Sequence, residues 1–155
     1  MNSHDRSQAV SRRTVLAGIG AGAAAVTLAP KMALADKAAT DEYLSKLTGG
    51  AKAQSGKVQI KLPQIAENGN TVPFTVIVDH PMTEASYVKA IHVVAEGNPA
   101  PGVASFTFTP TGKPEVSMRM RLSKTQDVRA IAVLSDGTVF EAKQEVKVTI
   151  GGCGG

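Results

Sequence analysis

From residue 57 to residue 150, the chain consists of short runs in which apolar and polar side chains alternate. In the run Lys57–Leu62 every second residue is apolar, and the same alternation recurs in the last run, Glu145–Ile150. A period of two predicts β-strands that bury one face. Further predicted strands are Val72–Val78, Tyr87–Ala95, Val103–Thr109, Glu115–Leu122, Val128–Leu134 and a final strand or pair of strands that begins at Val139.

Two of these runs, Tyr87–Ala95 and Val128–Leu134, carry apolar residues on both faces. This pattern predicts that both faces are buried and that Tyr87–Ala95 is a central strand of its sheet. Turn residues separate the runs, most clearly at Glu67–Asn70, Gly97–Gly102 and Ser135–Gly137. About seven short strands at a spacing of about ten residues predict an all-β fold, an immunoglobulin-like antiparallel β-sandwich, with a β-barrel as the alternative.

Ahead of the strands, the segment Thr40–Leu47 is predicted to form a short N-terminal helix. Thr40 or Asp41 can cap its first turn, and Gly49-Gly50 can end it. Its apolar face consists of Tyr43, Leu44 and Leu47. We expect this face to dock the helix against the β-sandwich, the alternative being a frayed terminal arm.

The first 35 residues have the composition of an export signal. Basic residues ending in Arg12-Arg13 precede a mildly apolar run, Thr14–Ala29, and small residues follow at Ala33 and Ala35. The segment Ser11–Leu16 resembles a twin-arginine signal, which predicts cleavage after Ala35 and a periplasmic location. The run is short and weakly apolar for a spanning helix, so a retained membrane anchor is the less favoured alternative.

The charge distribution narrows the possible partners. Most of the formal charge of +4 belongs to the predicted signal, so the remaining chain is close to neutral. A nucleic acid or a membrane surface is therefore not expected as the partner of the processed protein.

The C-terminus carries the most distinctive chemistry of the chain. Cys153 is its single cysteine and lies among Gly151, Gly152, Gly154 and Gly155. Glycine has more conformational freedom than other residues, which predicts a mobile arm that presents an exposed thiol to other proteins. The alternative is a disordered end with an incidental cysteine.

The remaining residues do not suggest an enzyme. His80 and His92 are interpreted as a turn residue and a packed strand residue, and no arrangement typical of a catalytic or phosphate-binding site is present. A copper site is a weaker alternative because only Gly154 and Gly155 follow Cys153, where blue-copper proteins have further ligands. We therefore expect no metal, no cofactor and no catalytic residues.

The C-terminal segment Val148–Gly155 resembles that of SoxY, the sulfur-carrier subunit of the bacterial Sox thiosulfate-oxidising system. Four internal segments extend the resemblance over essentially all of the predicted processed chain. They are Ala66–Gly69, Asn98–Pro101, Arg119–Leu122 and Lys124–Gln126. The segments at residues 68–69 and 98–101 are otherwise interpreted as turns, and Arg119 and Arg121 as an outward strand face open to anions, an acidic partner or solvent.

The resemblance implies a covalent carrier rather than an enzyme. Cys153 would hold the sulfur intermediates, and the four neighbouring glycines would keep the arm mobile and slim. A SoxZ-like subunit would form a heterodimer with the chain. A haem-containing conjugating enzyme, a sulfate-releasing hydrolase and a sulfane dehydrogenase would act on the arm. The alternatives are a periplasmic β-sandwich interaction module with a non-carrier thiol, or a copper-binding protein.

These predictions divide the chain into four parts. Residues 1–35 are the twin-arginine signal, and residues 36–56 are the N-terminal helix and a linker. Residues 57–150 form the β-sandwich, and residues 151–155 form the carrier arm.

Overall fold

The fold was analysed in a computed structural model, which describes the backbone of residues 31–151 and the side chains from residue 37 onward. The described chain begins with helix α1, Lys31–Thr48. The strands that follow are β1 Gln54–Ser55, β2 Val58–Lys61, β3 Ile65–Asn68, β4 Val72–Val78, β5 Val88–Ala95, β6 Gly102–Thr107, β7 Glu115–Met120, β8 Gln126–Leu134 and β9 Val139–Ile150.

The strands form two sheets. The larger has the order β1-β9-β8-β5-β6, with β3 also paired to β9, and the smaller has the order β2-β4-β7. Buried side chains of both sheets, such as Phe74 on β4 and Ile91 on β5, belong to one hydrophobic cluster. The sheets therefore pack face to face, and the predicted all-β, immunoglobulin-like sandwich is confirmed.

The alternating pattern identified the strands because it matches their burial. Along β4 the residues Val72, Phe74, Val76 and Val78 are buried, and those between them are partly or fully exposed. The predicted bounds of β4 agree with the structure. Strand β5 begins one residue later than predicted, and β2 is one residue shorter at each end. Burying one side chain in two removes apolar surface from water on a single face of the sheet.

Strand β5 is central, as predicted, since it lies between β8 and β6. Its Val93 packs into the core between the sheets, while Val94 packs on the opposite face with Leu44 of α1. The helix therefore covers part of the outer face of the larger sheet, and the predicted docking is confirmed. Tyr43 approaches Gly102 so closely that a Cβ at Gly102 would overlap its ring and hydroxyl group.

Helix α1 is longer than predicted. It begins at Lys31 rather than near Thr40, and Thr40 is a buried residue inside the helix rather than its cap. Ala, Lys, Met and Leu dominate residues 31–39, and their high helix propensity continues the helix toward the N-terminus. Its end is as expected, because Gly49 and Gly50 follow with φ of 63° and 80°.

An ion-pair cluster lies beneath α1. Arg129 on β8 contacts Glu141 at 2.5 Å, Glu96 at 3.3 Å and Asp41 of the helix at 3.8 Å. Burial alone would lower the pKa of Arg129, but the bonds to Glu141 and Glu96 outweigh it and raise the pKa. The guanidinium stays charged and links the helix to two strands.

Two short strands were not predicted. β1 and β3 pair with β9 in parallel, whereas the other strand pairs are antiparallel. β3 also includes Glu67 and Asn68, so the turn predicted at residues 67–70 is shorter than expected. These strands have two and four residues and lack an alternating pattern. Their strand conformation depends on β9, which is remote in sequence.

Candidate functional site

The C-terminal end of β9 is where the arm leaves the sandwich. The last residue of β9 paired with β8 is Val146, so the segment Lys147–Ile150 extends past that strand. Ile150 is 68 % exposed, and Gly151 follows it. Other residues predicted to be functional lie outside the described part of the chain: Gly152, Cys153, Gly154, Gly155, Arg12, Arg13 and the side chain of Ala35.

Strand β3 holds one side of this segment. Ala66 pairs with Val148, and Asn68 with Ile150. Next to β3, the Gly69 amide donates to the Ile150 carbonyl at 2.8 Å. The carbonyl of the same Gly69 accepts a hydrogen bond from the Leu122 amide at 2.7 Å, so one turn residue connects β9 with the chain that follows β7.

Residues 123–125 hold the other side. The hydroxyl of Thr125 accepts a hydrogen bond from the Val148 amide at 2.9 Å. Gly151 lies against the carbonyl oxygen of Ser123, where a Cβ would overlap that oxygen. The first residue of the predicted arm is therefore in contact with the body of the protein, and only a glycine fits there without displacing the backbone of Ser123.

Asn98 supports this contact from behind. Its side-chain amide donates to the Arg121 carbonyl at 2.9 Å, and its side-chain oxygen accepts from the Ser123 amide at 3.0 Å. The Ser123 hydroxyl donates to the Gly97 carbonyl at 2.9 Å. Asn98 thus bonds the backbone on both sides of Leu122, which is fully buried and anchors the segment.

Gln126 completes the polar network. Its side chain is 7 % exposed, which is unusual for glutamine, and each of its polar atoms has a partner. The amide nitrogen donates to Asn98 at 2.9 Å, and the oxygen accepts from the Gly97 amide at 2.7 Å. A satisfied buried network of this kind keeps the surrounding backbone in one arrangement.

The structure therefore brings together segments that are far apart in sequence. The four internal segments that resemble SoxY meet around the end of β9: Ala66–Gly69, Asn98–Pro101, Arg119–Leu122 and Lys124–Gln126. Sequence reasoning interpreted residues 68–69 and 98–101 only as turns and made no assignment for Ser123 or Gln126. A possible signal was the polar Gln126 at the start of an apolar strand.

Arg119 on β7 and Arg121 just after this strand are both exposed, as predicted. Arg119 lies within 3.5 Å of the Thr71 hydroxyl, and its guanidinium donates the hydrogen bond. Arg121 takes part in the site through its backbone carbonyl, which binds Asn98.

The two histidines of the described chain occupy structural positions. His92 contacts the Ser105 hydroxyl at 2.8 Å on the neighbouring strand, and burial lowers its pKa. His80 contacts Ser86 at 2.9 Å, and its pKa is lowered by burial and by the nearby Lys57. The interpretations of His92 as a packed strand residue and of His80 as a turn residue agree with these contacts.

Among residues 37–151, no three His, Cys, Asp or Glu side chains lie close enough together to hold a metal ion. In the same part of the chain, no helix has both the length and the apolar character needed to cross a membrane.

The fold and the site define a class of protein, a small β-sandwich with a glycine-rich tail that contains a cysteine. The tail follows the last strand, and its first residue, Gly151, packs against the Ser123 carbonyl. The family model described as "Sulfur oxidation protein SoxY" matches residues 44–153. The chain therefore belongs to the SoxY family. This match includes Cys153. No curated protein matches the chain.

One solved structure supports the same assignment, and two others share only the fold. The sulfur carrier protein SoxY from Chlorobium limicola f thiosulfatophilum is 37 % identical, with a TM-score of 0.64 over 74 % of this chain and 99 % of that chain. Superoxide reductase (neelaredoxin) from Ignicoccus hospitalis is 24 % identical, with a TM-score of 0.54, covering 60 % of this chain and 80 % of that one. A putative superoxide reductase from Thermotoga maritima has 18 % identity and a TM-score of 0.54, covering 62 % of this chain and 93 % of that chain. The reductases share the fold alone.

Proposed function

We propose that this protein is a covalent carrier in the oxidation of reduced sulfur compounds and that Cys153 holds the sulfur. The observation that carries the proposal is the position of β9, which extends past its partner β8 so that the chain just before the tail, at Ile150, is exposed. Membership of the SoxY family supports the same role, as does the family match that extends to Cys153.

The chemistry of such a carrier requires only a thiol on this chain. In the loading step the Cys153 thiolate and thiosulfate form a sulfur–sulfur bond. The thiol proton goes to solvent, and an electron pair goes to a haem-containing conjugating enzyme. Water then attacks the terminal sulfonate in a hydrolase, which releases sulfate and leaves a persulfide on Cys153. A sulfane dehydrogenase can oxidise that remaining sulfur.

The partner enzymes supply the catalytic groups in this proposal. The described histidines are bonded to serines on neighbouring segments, and no group of three His, Cys, Asp or Glu side chains that could hold a metal lies in residues 37–151. A SoxZ-like subunit completes the carrier as a heterodimer. The twin-arginine signal of residues 1–35, cleaved after Ala35, exports the folded protein to the periplasm, where the partner enzymes act.

Intact mass spectrometry tests the carrier function. Protein from cells supplied with thiosulfate is expected to carry a sulfur-containing mass increment on the tail peptide, which reductant removes. Cys153→Ser should lose the increment and keep the fold, as measured by circular dichroism. If the tail peptide stays unmodified in the presence of thiosulfate, the carrier proposal is wrong. Full sulfur oxidation by Cys153→Ala would favour an interaction module instead.

A further inference from the structure

We propose that Gly69, Leu122 and Ser123 form a clamp, braced by Asn98, that fixes Ile150 and Gly151 and so sets the origin of the carrier arm. The inference rests on the proposed carrier function and assigns positioning residues to it. It gives Gly151 the role of a fixed contact point with the body of the protein, where the sequence alone predicted only conformational freedom.

The clamp is a closed ring of contacts. The Gly69 amide binds the Ile150 carbonyl at 2.8 Å, and the Gly69 carbonyl binds the Leu122 amide at 2.7 Å. Leu122 continues directly into Ser123, whose carbonyl contacts Gly151, the residue after Ile150. Two hydrogen bonds and this close approach therefore form a ring that includes Ile150 and Gly151.

The brace makes this ring rigid. Asn98 bonds the Arg121 carbonyl and the Ser123 amide, one on each side of Leu122. The Leu122 side chain is fully buried, and Gln126 holds the oxygen of Asn98 at 2.9 Å. The Asn98 side chain thereby supplies the backbone of residues 121 and 123 with hydrogen bonds of the kind that a neighbouring strand would provide.

A fixed origin matters because the thiol is close to it. Cys153 is two positions after Gly151, so the thiol can reach about 7 Å from Gly151 at 3.3–3.6 Å per residue. With so short a tether, a displaced origin carries the thiol away from the reacting groups of a partner. Misplacement by about 1 Å can reduce a reaction rate by up to a hundredfold.

Backbone NMR relaxation of the processed protein, residues 36–155, tests the clamp independently of sulfur chemistry. The order parameter of the Gly151 amide should be close to the rigid value of about 0.85, and Asn98→Ala should lower it. Asn98→Asp keeps the acceptor for the Ser123 amide and should preserve part of the order. Asn70→Ala, at an exposed position beside the clamp, is the control and should change nothing. A Gly151 order parameter below about 0.6 in the wild type would overturn the proposal.

Loading kinetics test the functional consequence. Asn98→Ala and Gly151→Ala should lower kcat/KM for enzymatic loading of Cys153 about tenfold. Their reaction with a small aromatic disulfide reagent should stay at the wild-type rate, because that reagent needs no fixed origin. Partial recovery by Asn98→Asp is expected, while Asn70→Ala should load normally.

The outcomes separate the two proposals. Normal enzymatic loading of both Asn98→Ala and Gly151→Ala would overturn the positioning role and leave the carrier function intact. A wild-type protein that is never loaded would overturn the carrier function, whereas the order parameter of Gly151 would still decide whether the clamp exists. Should Asn98→Ala fail to fold, Ser123→Ala, which removes only the hydroxyl bonds, provides the milder variant for both measurements.

Discussion

At the scale of single residues, the site depends on polar side chains that look ordinary in the sequence. Asn98 is followed by Pro99, so a turn was the natural interpretation, and it does lie in a loop. Its importance comes from two hydrogen bonds, one to the Arg121 carbonyl and one from the Ser123 amide, both more than twenty residues away. Such contacts cannot be predicted from local sequence, because a turn residue and a bracing residue have the same local preferences.

His92 offers a prediction at this scale. Burial lowers its pKa below the ordinary value of 6.5, so the unfolded chain binds the proton more readily than the folded protein. The stability from neutral His92 is therefore complete above about pH 6.5 and is lost as the pH falls through the folded-state pKa. An NMR titration should give an imidazole pKa below 6.5.

The matching variant is His92→Gln. Its free energy of unfolding in urea should decrease less than that of the wild type between about pH 7.5 and about pH 5. His80 is present in both proteins, so its own titration cancels in the comparison. A wild-type imidazole that titrates at or above 6.5 would contradict the assignment of His92 as a desolvated strand residue.

At the scale of elements, burial and partner strands decided what the sequence pattern left open. The alternating runs predicted the longer strands well because each of them buries one face. β1 and β3 have two and four residues and form only because β9 offers unpaired backbone groups beside them. Helix α1 extends further than its capping signals indicated, since residues before Thr40 are good helix formers.

The docking of α1 gives a prediction about this element. Leu44 is 8 % exposed and packs on Val94, Ile131 and Val139. Leu44→Ala should lower the free energy of unfolding by about 2–4 kcal/mol, because it leaves a cavity under the helix. Leu47→Ala, at a partly exposed position of the same helix, is the matched control and should cost less. Equal losses in chemical denaturation would show that α1 is not docked through Leu44.

At the scale of the whole molecule, one strand joins the parts that matter for function. β9 pairs with β8 over most of its length and then with β3, so the sandwich and the origin of the arm belong to the same continuous element. The central strands β5 and β8 are covered on one face by the smaller sheet and in part on the other by α1. The stability of the molecule should therefore be highest there and lower toward β1.

Native-state hydrogen exchange tests this distribution. Amides in the middle of β5 and β8, such as those of Val93 and Ile131, should exchange at least about a hundredfold more slowly than that of Ser55 in β1. Local opening is sufficient to expose a two-residue edge strand, whereas the central amides require global unfolding. Equal protection in β1 and β5 would contradict the view that β9 alone maintains the short parallel strands.

The sequence by itself determined the all-β class, the longer strands, the helix and the cysteine-containing tail that resembles the SoxY family. These features depend on side-chain periodicity and on short motifs, which are local. Only the tertiary structure decided that Gly69, Asn98, Ser123 and Gln126 meet at the end of β9 and that Gly151 is seated against the body. Those contacts join segments up to about eighty residues apart, and their energies depend on which backbone groups the folded sandwich leaves without a partner.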